Sequence, residues 1–159
     1  MLRASIFIFL FCLGLHCFAN TQVTQTLDDF HQAAAEADYD KYFGLLANNA
    51  IFLGTDASER WTKQEFSAYV KPYFEKGQGW LYRLSSRNIS PIADTNLVFF
   101  DELLENDHYG QCRGSGVLIK ENGQWKVLQY NLSVMVPNKI SKQVVSLISR
   151  SKNQVSSEQ

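Results

Sequence analysis

Residues Gly110–Val136 read GQCRGSGVLIKENGQWKVLQYNLSVMV. Asn122-Gly123, inside this stretch, is a two-residue hairpin signal, because both residues accept the positive φ that such a turn demands. The runs on either side carry the β-branched, aromatic and alternating pattern of strands, so two long antiparallel strands are predicted, Gly110 to Lys120 and Trp125 to Val136. Pairing them regularly about the turn sets Ser115 opposite Tyr130 and Arg113 opposite Leu132 on one face. Gly114 then meets Asn131 and Cys112 meets Ser133 on the other. Gly114 and Gly116 are the two places where a bulge would upset that assignment.

Upstream, the period of two continues. Leu97 to Leu104 reads as another long strand, and Trp80, Tyr82 and Leu84 alternate with Leu81, Arg83 and Ser85. Before Gly77 and Gly79 the spacing becomes helical. Phe66, Tyr69, Val70, Tyr73 and Phe74 follow a capping box made by Thr62 and Glu65, and Pro72 calls for a kink or a fresh turn. Ala50 to Leu53 is a short strand, closed by Gly54-Thr55-Asp56. Tyr39, Tyr42, Phe43 and Leu46 form a short second helix capped by Asp38, and Val23, Leu27, Phe30, Ala34 and Ala37 mark the first. The order is helix, helix, strand, helix and at least four antiparallel strands. That order predicts an α+β domain with helices packed on one face of the sheet.

The two ends are of different character. Arg3, the apolar run Ile6 to Leu15 and the small residues around Cys17-Phe18-Ala19 make the three parts of a secretory signal, with cleavage near Ala19. His16 before Cys17 is too bulky for a lipoprotein signal. The predicted organisation is therefore a signal peptide over residues 1–19, a domain over 20–137, and a polar, basic tail over 138–159 that is partly helical or disordered. The protein is expected to be exported, periplasmic or secreted, without a transmembrane segment. Removing the signal leaves Cys112 as the sole cysteine, so no internal disulfide can form, and a buried, inert thiol is the reading. Residues 20–137 hold 10 Lys and Arg against 15 Asp and Glu, while the tail sets Lys139, Lys142, Arg150 and Lys152 against Glu158. No basic stripe with interleaved aromatics marks the domain, which argues against nucleic acid as a partner.

Taken together these residues resemble the SnoaL-like domains of the nuclear transport factor 2-like superfamily. The likeness is carried by Gly54-Thr55-Asp56, Glu59-Arg60-Trp61, Gly114-Ser115-Gly116 and the run Asn122-Gly123-Gln124-Trp125 through Leu132-Ser133, and it covers Val23 to about Pro137. It implies a cone-shaped fold, three N-terminal helices packed on a curved antiparallel sheet, with a pocket inside. Its members include isomerases, cyclases, dehydratases and assembly modules, so fold alone does not decide function. Ketosteroid-isomerase-like relatives need a carboxylate just after the first strand and an acid on the penultimate strand. Those positions fall near Gly54 and Cys112 here, and neither can do that work.

The candidate pocket residues are Arg113, Tyr130, Trp61, Asp56, Glu59 and His31. Asp56 and Glu59 offer carboxylates at a rim, or are turn formers bonding nearby amides. Trp61 is a wall or a staple of its loop. Arg113 among apolar and aromatic neighbours would anchor a carboxylate ligand in two-oxygen fashion, with Tyr130 beside it; the alternative is an ion pair with Asp101 or Glu102, or an exposed edge. His31, beside Phe30 on the first helix, is a pocket acid or base, or a surface residue. No spacing of His, Cys, Asp and Glu suggests a metal, no catalytic triad stands out, and no cofactor is implied. The leading expectation is an exported domain that binds a small organic molecule, an anionic one where Arg113 is the anchor. The alternatives are an isomerase-, cyclase- or dehydratase-type enzyme using Asp56, His31 or Tyr130, and a non-catalytic homodimeric assembly module. A homodimer is expected in any case, since the last strands carry apolar residues on both faces and helices cover only one.

Overall fold

A computed structural model describes residues 21–157; the signal-peptide segment expected at the N-terminus lies outside the described residues. Helix α1 spans residues 21–36, with Val23, Leu27, Phe30, Ala33 and Ala34 buried along one stripe at helical spacing. It ends because Ala37 turns to φ 56°, which lets the Asp38 amide reach back to the Ala33 carbonyl at 2.9 Å. Ala37, partly buried against the core, is thus both the end of the stripe and the stop of the helix. Asp38 caps α2 (Tyr39–Gly44) by accepting from the Lys41 amide. Leu46, expected on that helix, instead opens β1 (Leu46–Leu53).

β1 is twice the length that its apolar end announced, since Leu46 and Ala47 are buried and Asn48 and Asn49 are exposed where the register shifts. β2 (Arg60–Thr62) pairs back on it. α3 (Lys63–Phe74) starts on the predicted capping box, Thr62 with Glu65, and buries Phe66, Val70 and Phe74. Pro72 falls in its last turn, within the helix. Four strands follow: β3 (Arg83–Pro91), β4 (Leu97–Asn106), β5 (Gly110–Glu121) and β6 (Gln124–Val134). The sheet runs β2-β1-β6-β5-β4-β3, antiparallel throughout except for the parallel β1–β6 pair. Its inner face and α1 to α3 enclose one aromatic-rich core, including Phe30, Tyr42, Phe66, Phe100 and Tyr130.

The β5–β6 pairing carries the main correction to the sequence reading. Leu118 pairs with Val127, but Val117 pairs with Gln129, so Leu128 has no partner and forms a bulge. Beyond it the register is offset by one residue, which sends every later side chain to the opposite face. Gly114 therefore faces Leu132 and Arg113 faces Ser133. Arg113 is exposed on the outer face of the sheet, while Cys112, Tyr130 and Leu132 are buried inside.

The tail forms a 3-10 turn (Asn138–Ile140) and α4 (Ser141–Ser157). Val145, Leu147 and Ile148 of α4 are all more than half exposed, so the helix extends the chain without joining the core. No helix among the described residues is long and apolar enough to cross a membrane.

Candidate functional site

Among the described residues Glu102 is the charged residue that is fully buried, with 0 % exposure. Alternation on β4 puts it inward with Val98, Phe100 and Leu104, and a bare carboxylate there would cost several kcal/mol, about what burial of an ion takes in a real protein. It is not bare. Oε1 receives His31 Nε2 at 2.6 Å and the Tyr130 hydroxyl at 2.9 Å, and Oε2 receives Arg87 Nε at 2.8 Å. Arg87, opposite Glu102 on β3, has a side chain only 5 % exposed and donates through Nη1 to Asp28 Oδ1 at 2.7 Å and to the Thr24 carbonyl at 3.3 Å. Its Nη2 has no partner among the described residues.

These contacts decide the charge of the group. Burial, the largest single influence, pushes the Glu102 carboxyl up. The hydrogen bond and charge of His31 and then Arg87 together outweigh it and hold the carboxyl below its ordinary value. Glu102 is therefore an ionised acceptor, which requires the imidazole nitrogen facing it to carry a hydrogen. Nδ1 of His31 makes no protein hydrogen bond among the described residues. The Tyr130 hydroxyl is held far above its usual range, first by burial and then by the Glu102 charge, so it stays a donor to that carboxylate. Gly114 makes the arrangement possible: a Cβ there would overlap the Tyr130 hydroxyl and the Glu102 carboxylate.

Above this network lies a cavity in two parts. The inner part, about 20 Å³, is bounded by His31, Phe30, Tyr42 and Tyr130. The outer part, about 150 Å³, is walled by Trp61, Phe66, Tyr69 and Tyr109, with Glu59 at its rim. Phe52, Trp80, Tyr82 and Leu132 line both, so the two parts adjoin along one passage-like interior. A roomier open groove, about 370 Å³, lies between the start of α1 and the β5–β6 turn. It lacks convergent acid–base groups, and the interior passage is the better candidate.

The six residues singled out from sequence part company here. Tyr130 and His31 meet at the floor, and Glu59 and Trp61 stand at the mouth. Asp56 belongs to the turn, where its Oδ1 accepts from the Ser58 amide and hydroxyl, and it does not line the passage. Arg113 lies on the far side of the sheet and pairs with neither Asp101 nor Glu102. Glu102 and Arg87, the centre of the network, were not among the six. A signal for Glu102 was present: a charge at an inward position of the alternating run Val98, Phe100, Glu102, Leu104. Arg87 sits in the polar strand RLSSRNISP, whose pattern gives no face. Among the described residues no group of His, Cys, Asp and Glu is arranged to hold a metal ion.

A family model for the SnoaL-like domain matches residues 23–137. The chain belongs to this family. Solved structures agree on the fold, each at low sequence identity. A nuclear transport factor 2-like protein of unknown function from Pseudomonas putida superposes with TM-score 0.65 at 14 % identity, over 77 % of this chain and 90 % of its own. A candidate scytalone dehydratase from Novosphingobium aromaticivorans gives 0.63 at 10 % identity, over 76 % and 87 %. A candidate dehydratase of the nuclear transport factor 2-like family from Streptomyces avermitilis gives 0.59 at 14 %, over 74 % and 96 %. No match to a curated protein accompanies them. The family match thus ends where the 3-10 turn begins, and α4 lies beyond it.

Proposed function

We propose that this SnoaL-like domain takes a small organic molecule into its cone and moves a proton on it with His31, in a dehydratase- or isomerase-type reaction. The observation that carries the reading is the 2.6 Å contact of His31 with ionised Glu102 at the floor of an aromatic passage. Glu102 fixes the ring and its tautomer, Arg87 and Tyr130 fix Glu102, and His31 is the only member that lines the passage with an unused nitrogen. Glu102 is thus a positioning residue and His31 the acid–base group. The acid–base group and the carboxylate that positions it come from α1 and β4, not from the Gly54 and Cys112 positions that a ketosteroid-isomerase-like arrangement would use.

The test is exchange of the α-protons of small aryl ketones in deuterated water, followed by NMR. Wild-type protein should accelerate the exchange. His31→Gln should remove about a hundredfold or more of that acceleration, the usual range for a positioned acid–base group. Equal rates in the two proteins would contradict the assignment.

Two expectations from sequence join the proposal. Export, with cleavage near Ala19, is tested by mass spectrometry of the mature N-terminus, and retention of residues 1–19 would refute it. Association of two copies through the outer sheet face is supported by Phe99, which is half-exposed there. A groove of about 320 Å³ bordered by Ile51, Leu53, Val117 and Leu128 adds to that support. Light scattering at micromolar concentration should give a dimer, and a monomer would count against it.

A further inference from the structure

We infer that the mouth of the cone selects a ligand carrying an organic ammonium group, seated between the Glu59 carboxylate and the half-exposed rings of Tyr69 and Tyr109. This deepens the reading of the cone as the ligand site and rests on it. Where Arg113 was expected inside as an anchor for an anion, no lysine or arginine lines either part of the passage. Apart from the His31 imidazole and tyrosine hydroxyls, the ionisable group lining it is Glu59.

Glu59 is held in place yet not neutralised. Its Oε2 accepts the Asp56 amide at 3.1 Å, and it packs on Gly54 so closely that a Cβ there would collide with the carboxylate. It enters no ion pair among the described residues. The adjacent Arg60 lines the outer groove of the sheet, on the side of Ile51 and Val117, rather than the cone. A half-buried carboxylate with one committed oxygen, in a wall of aromatic rings, disfavours an anion and favours a cation.

The rings add a second attraction. Trp61 is stacked against Phe66 (20°, 5.4 Å) and Tyr69 (19°, 5.1 Å) and so braces the wall, while Tyr69 and Tyr109, each close to half exposed, offer the open ring surface. Aromatic faces attract a cation through their quadrupole, most strongly where the cation has shed water, and alkylated ammonium ions shed it readily. The volume argues for a small group as well. About 150 Å³ is well under the ~300–1,000 Å³ of a pocket for drug-sized ligands. It suits an alkylammonium head.

The experiment uses choline, its neutral isostere dimethylbutanol, in which a tert-butyl group replaces trimethylammonium, and benzoate as the anion. Binding to the full chain is followed by tryptophan fluorescence, since Trp61 and Trp80 line the mouth. Choline should saturate with a Kd at least about tenfold below that of the isostere, the equivalent of roughly 1.4 kcal/mol. Glu59→Gln keeps the oxygen that accepts the Asp56 amide and should erase that preference. Tyr109→Leu should weaken choline, and Tyr109→Phe, which keeps the ring face, should bind as wild type. Equal or tighter binding of the isostere, tighter binding of benzoate, no saturation by choline, or a preference that survives Glu59→Gln would each overturn the inference. Its failure is separable from that of the acid–base reading. Loss of the choline preference with ketone exchange intact condemns only the mouth, while a Glu59-dependent preference without exchange condemns only the role of His31.

Discussion

Glu102 on the floor of the cone is wholly buried and accepts from His31, Tyr130 and Arg87, whereas Glu59 at the mouth is half-buried and receives the Asp56 amide on one oxygen. One carboxylate is spent on structure and the other is left for a visitor. The difference follows from depth. A charge out of reach of water must have all its partners built into the protein, and those partners then hold each other rigidly. A charge at a rim keeps water as a partner and can exchange it for a ligand. The catalytic candidate is therefore the group next to the buried carboxylate, and the recognition candidate is the rim carboxylate itself.

The contrast can be broken most forcefully at the floor. Glu102→Leu leaves Arg87 buried with only Asp28 and a carbonyl, and should cost about 3–5 kcal/mol of unfolding free energy in urea melts. Adding Arg87→Met should recover much of that loss, and a double variant as unstable as the single would contradict the account. The floor should also announce itself in acid. Because the folded Glu102 carboxyl lies below its ordinary value, its contribution is complete above the unfolded carboxylate pKa of about 4.3. It is lost as pH falls through the lower folded value. The stability gap between wild type and Glu102→Gln should shrink as pH falls below about 4.3. A gap that widens there would reverse the sign.

Gly114→Ala tests the close approach behind the network. Its methyl group must displace the Tyr130 hydroxyl or the Glu102 carboxylate, at about 1–3 kcal/mol, the usual cost of overpacking a core. Full stability by calorimetry would show that the strand has room. At the mouth the expected effect is the smallest. Glu59→Gln should move stability by no more than about 0.5 kcal/mol while altering ligand preference, and a large loss would make Glu59 a structural residue.

Most of the architecture was legible because it rests on local signals: the Asn122-Gly123 turn, the Thr62–Glu65 capping box and the alternation on β4. The floor of the cone was half legible. His31 and Tyr130 could be named as candidates, but their common partner Glu102 requires knowing that α1 lies over β4, seventy-one residues away in the chain. Arg87 was hidden in a strand with no apolar alternation. Arg113 was misplaced by a single residue: the unpaired Leu128 offsets β6 against β5, and turn chemistry at Asn122-Gly123 says nothing about a bulge farther along the hairpin.

The most direct test of the central claim is the nitrogen NMR spectrum of the His31 imidazole, recorded with and without a small phenol in the cone. The account predicts hydrogen on Nε2 in the neutral ring, held by Glu102, and a bare Nδ1 whose resonance moves when the phenol binds while Nε2 stays put. Hydrogen on Nδ1 with a bare Nε2, or an Nδ1 signal indifferent to every ligand that enters the mouth, would contradict it.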